Sequence, residues 1–531
     1  MKDIKPIVFI PPVVLTLVAL IYSLASPDSF AAMATTANNW LLDKFGWLFN
    51  LGSLGFLVVV VAVFFSPFAK VKFGGQDAKP IMSDFNWFAI LLCTTIAIGI
   101  LFWGTAEPLY HYAGPPSGWG IQPNTPQAAR FAMSTMFMHW TFTPYAIYTL
   151  PALVFAFAFY NMRKPFSLGS TLAPLMGEKA TGKFGMIIDA VCLYALVLGM
   201  AASLGTGILS LTGGLSYKYN MPNNPVMYWI IGAIIVGTFI ISASTGLMKG
   251  IRILSDINIK VLMGITVFVF LFGPTVFILQ FGTEGFGEYL STFFSRSLLT
   301  GAGAYKTGEG IDLWGQWWTN FYFANWLAWA PITALFLGRL AYGQTVRKFL
   351  LFNFVLPAIF SGLWMSVFSG SALKFEMDGL GISEQLARGP EYTGFAVLDK
   401  LPLAVLIIPI FLFICFICFV TAADSNTNAM AGISSAGVSP EDPEPKLPLK
   451  VVWGCLVGAV AVIMISASGI SGIKTLSNLG GLPALFLELA LLAGLAKIMI
   501  KPSKYDTFKK DYNPDGSVIS KVTKFEGPPK A

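Results

Sequence analysis

The sequence predicts an all-α integral membrane protein with twelve transmembrane helices. Three observations carry this. Of 531 residues, 55% are hydrophobic and only 11% charged, against roughly 25% charged in soluble domains. Apolar runs long enough to cross ~30 Å of hydrocarbon, about 20 residues in a helix, recur from end to end. Spans three and eight are also interrupted, the third by Gly99 and Gly104 beside Thr94 and Thr95, the eighth by Pro331. Irregular helices at membrane depth are tolerated only in the protein interior or beside a cavity. Two of them in corresponding positions point to a transporter site between inverted repeats.

Taken in order, the spans fall at 7–25, 46–68, 86–112, 129–160, 184–215, 225–245, 250–281, 314–342, 347–372, 402–434, 449–468 and 478–500. Residues 1–85 hold two extra helices. The first, Ile7 to Ala25, lacks a convincing signal-peptidase site and reads as a retained span. Residues 86–281 form the first five-helix half. Residues 282–313 connect the halves and contain Phe286 to Leu299, an amphipathic segment suited to the membrane surface. Residues 314–500 form the second half, and 501–531 a polar tail of mixed charge, expected to be disordered. An even number of spans puts both termini on one side. With the termini inside, 25 of the 34 Lys and Arg fall on inner segments, and the positive-inside rule then makes both termini cytoplasmic, in the cell inner (plasma) membrane. The net charge of +7 is spread over loops and tail, which does not point to nucleic acid. All five cysteines lie in apolar segments. Cys415-x-x-Cys418 therefore reads as buried thiols rather than a redox or metal motif.

The densest chemistry is Trp317 to Pro331, where four tryptophans, two phenylalanines and a tyrosine fall in fifteen residues. Indole faces attract quaternary ammonium groups; Trp and Tyr also form belts at the membrane surface. This stretch alone leaves both readings open. In span four, Trp140, Tyr145 and Tyr148 lie on one broad face of a continuous helix. In span eight, Phe323, Trp326 and Trp329 lie a turn apart. Two such faces can close round a cation, each contact contributing ~0.5–2 kcal/mol.

The chain resembles the betaine–choline–carnitine transporter family over nearly its whole length. The matching features are Phe102-Trp103-Gly104-Thr105-Ala106-Glu107-Pro108, His139-Trp140 with Tyr145 and Tyr148, Lys249-Gly250-Ile251-Arg252, Trp318 to Pro331, Arg339 with Gly343, and Val420 to Ser425. The resemblance implies twelve helices, a LeuT-like core of two inverted five-helix repeats after two extra helices, a homotrimer in the lipid bilayer, and a substrate with a quaternary ammonium or similar cation. It also implies an aromatic box of Trp140, Tyr145, Tyr148, Trp326 and Trp329. Tyr145 stands where a tryptophan is common in the family; Phe323 and Asn325 each stand where one is frequent. Asn325 has two readings: a hydrogen bond to the substrate, or contact with a neighbouring helix. Phe323 and Asn325 complete the candidate site.

The resemblance bears on coupling as well. Sodium-independent exchangers of the family carry an arginine and a methionine where this chain has Asn258 and Thr333, so Na+ is expected as the coupling ion. The matching ligand positions are the backbone oxygens of Cys93 and Ile96 and the hydroxyl of Thr421. The next position, often serine, is Ala422 here, so a water, a carbonyl or Ser425 would have to supply an oxygen. Proton coupling goes with an aspartate where this chain has Gly99. The alternative to a sodium-coupled betaine importer is therefore an exchanger or a proton-coupled choline- or carnitine-type carrier.

Among acidic residues in or near spans, Glu107 suggests a structural or gating role. Asp189 and Asp256 suggest caps or pairs with Lys183 or Arg252, and Asp424 stands nearest the ion positions. His111 reads as a loop or interface residue and His139 as a support for Trp140. An enzyme would need a nucleophile–base pair or metal cluster, and with two histidines and no matching Cys or Asp pattern nothing points to one. No cofactor is expected besides the ion. A non-transporting osmosensor is the remaining reading.

Overall fold

The computed structural model describes residues 4–95, 97–244, 247–302, 312–438 and 445–519, apart from the side chains of 97–98, 243–244 and 247–254. Among the described residues there are helices, turns and isolated bridges but no strand. Ten helices are long and apolar enough to cross a membrane, or eleven when one bent pair counts as a span.

The helices in chain order are α1 Pro6–Ala25 and α2 Pro27–Phe65; α3 Asp84–Thr95 and α4 Ala97–Ala113, the bent pair; α5 Pro126–Trp140 and α6 Phe142–Ala156, which belong to one span; α7 Lys183–Tyr219, α8 Pro225–Ser244 and α9 Leu247–Phe272; α10 Thr275–Ser297, which is not among the candidate spans; α11 Gln316–Arg339 and α12 Val346–Met377; α13 Ala404–Ser434; and α14 Leu447–Ile500. The count differs from the expected twelve mainly at the last helix. Both expected spans 449–468 and 478–500 lie in the 54-residue α14, on either side of Gly469, whose φ of 52° and ψ of −133° are non-helical.

Three expectations are corrected. The seventh span ends at Phe272 rather than 281, because Gly273-Pro274 stops it. The helix expected at 286–299 is present but longer: α10 begins directly after that proline, ends at Ser297 and is not among the candidate spans. The tail is ordered through residue 519. Thr507 N donates to Asn161 O at 2.9 Å, Asn161 Nδ2 donates to Asp506 Oδ2 at 2.8 Å and to Lys72 O at 3.0 Å, and Gln76 N donates to Asp511 Oδ2 at 2.8 Å. Partners this distant in sequence are invisible to composition. The loop after α2 pairs in turn with the loop after α11. Phe73 N donates to Gln344 O and Gly343 N to Phe73 O, both at 3.0 Å. Gly343 has φ +75°, and a Cβ there would meet the Lys79 carbonyl carbon at 2.3 Å, so glycine is required on both counts.

Candidate substrate site

Four helices bring the aromatic residues together. Span four is not continuous: Thr141, with φ −114° and ψ −121°, separates α5 from α6. The expected face running from Trp140 through Tyr145 and Tyr148 is therefore corrected. Trp140 ends one segment, and the tyrosines share a face of the next. They still converge, because Trp326 of α11 stands between them. Its ring centroid lies 5.7 Å from Trp140, 5.5 Å from Tyr145 and 4.6 Å from Tyr148. Rings this close cannot sandwich an ammonium, which needs its own approach to each face; the ring faces open to a ligand are those turned to the adjoining cavity.

That cavity encloses about 540 Å³ of empty space, its mouth included. Trp140, Tyr148, Asn325, Trp326 and Trp329 line it, together with Trp103, Phe321, Thr94, Thr95, Gly99, Ala202, Ser203, Thr206 and Ile473. No charged side chain is in the lining among the described residues. Tyr145 and Phe323 are fully buried and are not among the lining residues; Tyr145 packs against Trp326 instead. Asn325 makes the contact with a neighbouring helix that was one of its two readings, and it is also a wall of the cavity. Its Oδ1 accepts a hydrogen bond from Ser477 Oγ of α14 at 2.9 Å. Gly99 is what lets Trp140 lie flat against the third span, since a Cβ there would meet the indole at 2.4 Å.

A second cavity of about 310 Å³ adjoins the first, with Trp329 and Ser203 common to both linings. Its wall includes Ala422, Ala423, Asn426 and Thr427 from the polar run of α13. Trp329 is thus a partition as well as a box residue.

Behind the box lies a buried polar network that the sequence reading missed in part. Glu107 is fully buried. Its Oε2 accepts Trp140 Nε1–H at 2.6 Å, and its Oε1 lies 2.6 Å from His139 Nδ1 and 3.1 Å from His111 Nε2. Trp326 Nε1 donates to His139 O at 3.1 Å, and His139 Nε2 lies 3.1 Å from Thr319 Oγ1. Trp140 and Trp326 are therefore oriented through their indole N–H groups, whereas Trp329 Nε1 has no hydrogen-bond partner among the described residues. His139 supports Trp140 through Glu107. His111, expected in a loop or at an interface, is a fully buried member of the network. The Glu107, His111 and His139 ligand atoms lie within 4.8 Å of one another, close enough for a metal. Both carboxylate oxygens are already engaged, so hydrogen bonding accounts for the cluster.

The proposed ion positions are partly described. Cys93 and Thr421 are buried; Ile96 lies outside the described residues. Thr421 Oγ1 donates to Ile417 O at 2.8 Å, which leaves its lone pairs able to accept a cation. Thr94 Oγ1 and Ser425 Oγ meet at 3.4 Å across α3 and α13, so Ser425 lies beside the third span. The other acidic groups have partners of their own, and the Arg252 side chain lies outside the described residues. Asp189 accepts from Gly169 N at 2.8 Å, Asp256 pairs with Lys260 at 2.6 Å, and Asp424 accepts from Ser242 Oγ at 2.6 Å. Glu488 of α14 escaped notice, although it is the one acidic residue of its span. It is fully buried, and neither of its carboxylate oxygens has a hydrogen-bond partner among the described residues.

The chain is similar to the glycine betaine transporter OpuD of Bacillus subtilis, 32% identical over 92% of this chain and 93% of that protein. It is similar to an ectoine/hydroxyectoine transporter of Virgibacillus pantothenticus, 32% identical over 94% of this chain and 97% of that one. The high-affinity choline transport protein of Escherichia coli K12 is 30% identical over 93% of this chain and 72% of its own length. The model of the betaine/carnitine/choline family transporter matches residues 7–504. The chain is a multi-pass membrane protein that belongs to the betaine/carnitine/choline family of transporters, and not an enzyme.

Proposed function

We propose that this transporter imports a betaine-type quaternary ammonium solute by alternating access, driven by sodium. The observation that carries the reading is an aromatic cavity with no charged lining residue among those described. Indole and phenol faces of Trp140, Tyr148, Trp326 and Trp329 can hold a desolvated methylated ammonium. Hydroxyls of Thr94, Thr95, Ser203 and Thr206 can solvate the substrate's own carboxylate. A zwitterion suits such a site because it brings no net charge into the interior.

The twelve-span architecture belongs to the same reading. At 1.5 Å per residue a straight 54-residue helix would be about 80 Å long, more than twice the hydrocarbon thickness. Dividing α14 at Gly469 gives two spans and twelve in all. The broken third span and the interrupted eighth then open two inverted five-helix repeats, with both termini cytoplasmic and a homotrimeric assembly as in the family. Helix breaks free carbonyl oxygens from their i+4 partners. The end of α3, with Thr94, Thr421 and Ser425, is accordingly an all-oxygen setting that fits Na+. Trp329 separates an outward cavity from the second cavity, which is the release path.

Uptake of labelled glycine betaine into proteoliposomes, with and without an inward sodium gradient, tests this. Sodium-dependent accumulation is expected. Equal uptake without sodium, driven by an outward substrate gradient, would instead show an exchanger. Absence of any quaternary ammonium uptake would refute the reading. Ectoine is the informative competitor, because a relative is named for it and its ring carries a delocalised cation without methylated nitrogen.

A further inference from the structure

Lys474 lies five residues beyond the break at Gly469, and the function proposed above does not use it. Its Nζ stands 3.7 Å from the Trp318 ring centroid, 5.0 Å from Phe321 and 6.0 Å from Trp103. All three are within the reach of cation–π attraction. Its one hydrogen bond is to Trp317 O at 3.4 Å, and no carboxylate lies within ion-pair distance of it among the described residues. Glu107, the nearest buried acid to this cage, is fully engaged with Trp140, His139 and His111. An ammonium with three donors and a single long hydrogen bond is held here chiefly by ring faces.

Two walls of this cage, Trp103 and Phe321, are also walls of the substrate cavity, and Ile473 beside Lys474 lines it too. The cage is a cation site at the cavity mouth, filled by the protein's own lysine. It also ties α14 just past its break to the start of α11. We propose that the cage of Trp103, Trp318 and Phe321 is an entry subsite for a methylated ammonium, and that Lys474 is a tethered cation which the substrate displaces on its way in. This rests on the transport reading above. Replacement of one cation by another leaves the cage occupied throughout, so the mouth opens without exposing an empty aromatic pocket. It also ties opening to the arrival of a cationic solute.

The test uses the full-length protein in proteoliposomes. A membrane-impermeant succinimidyl ester labels accessible lysines, and peptide mass spectrometry quantifies modification at Lys474. Glycine betaine or tetramethylammonium, against sodium chloride of equal ionic strength, is expected to raise Lys474 modification about three- to tenfold while other lysines stay constant. Trp318→Leu should raise basal modification and remove the effect of the probe. Lys474→Met should lower the KM for betaine uptake about threefold or more, with Lys474→Arg near the wild-type value. Unchanged or reduced Lys474 modification on adding the probe overturns the proposal, and so does an unchanged or higher KM in Lys474→Met. The labelling arm needs no variant and decides the matter if Lys474→Met does not fold. Normal sodium-driven uptake with indifferent labelling defeats this inference alone, whereas a wild-type protein that neither binds nor carries a quaternary ammonium defeats the transport reading with it.

Discussion

Trp326 is the residue on which the site turns. Its ring touches three aromatic neighbours, and its N–H is committed to the His139 carbonyl. Trp326→Ala removes both, and glycine betaine binding should fall below detection in a scintillation proximity assay. Trp329→Phe keeps a ring on the partition and should weaken binding less, about two- to tenfold for one lost indole face. Normal binding by Trp326→Ala would show that the cavity is not the substrate site. Glu107→Gln replaces an acceptor of three donors by an amide with one acceptor oxygen. One buried donor is left facing an NH2 group, at a cost of about 1–3 kcal/mol. Betaine KM should rise by an order of magnitude or more, with a lower melting temperature; a KM within twofold of wild type would separate the network from the box. At this scale the sequence was informative where chemistry repeats. Trp140, Tyr148, Asn325, Trp326 and Trp329 could all be named from aromatic spacing and resemblance. Phe323 could not be excluded, because a helical wheel does not say which side a partner helix takes. Lys474 and Glu488 were passed over for opposite reasons: one sat in an expected loop, the other inside a span whose partners only the fold reveals.

The elements themselves were legible from apolar runs, but their interruptions were not. Thr141 is an ordinary residue in sequence, yet it breaks span four and aims Trp140 separately from the tyrosines. Gly469 sits in Ser466-Ala467-Ser468-Gly469, which marks a weak helix without saying that its φ is positive. Its dihedrals lie where an L side chain is strained by about 1–3 kcal/mol. No atom lies within 4 Å of where a Cβ would stand, so sterics do not add to the cost. Gly469→Ala should therefore fold, lose a few degrees in a thermal-shift assay, and impair uptake more than binding. A variant with unaltered melting temperature and uptake would show that the break has no mechanical role. Near this break α14 also meets α11 very closely: a Cβ on Gly481 would come within 2.5 Å of Ala324 O. The helix carrying the box is thus seated on the helix carrying the break.

Over the whole molecule, the surprise is the tail. Composition and mixed charge made residues after 500 look unstructured, and nothing local could have said otherwise. Asn161, at the end of the fourth span, is the junction. Its amide reaches Asp506 and Lys72, and its Oδ1 accepts from Gly74 N at 3.2 Å. Asn161→Ala should free the segment and make residues 501–519 several-fold more sensitive to limited proteolysis, while detergent-solubilised protein keeps its overall melting transition. Unchanged cleavage would mean that Asp511 and the backbone bonds to Asn161 O suffice. A segment tied at once to the loop after α2 and the end of the fourth span is a fixed fiducial, not a leash. A fluorophore placed at residue 519 and a second on α9 or α10 would therefore report distances within the transporter itself, and its working cycle could be followed by energy transfer in a native bilayer without touching a single residue of the cavity.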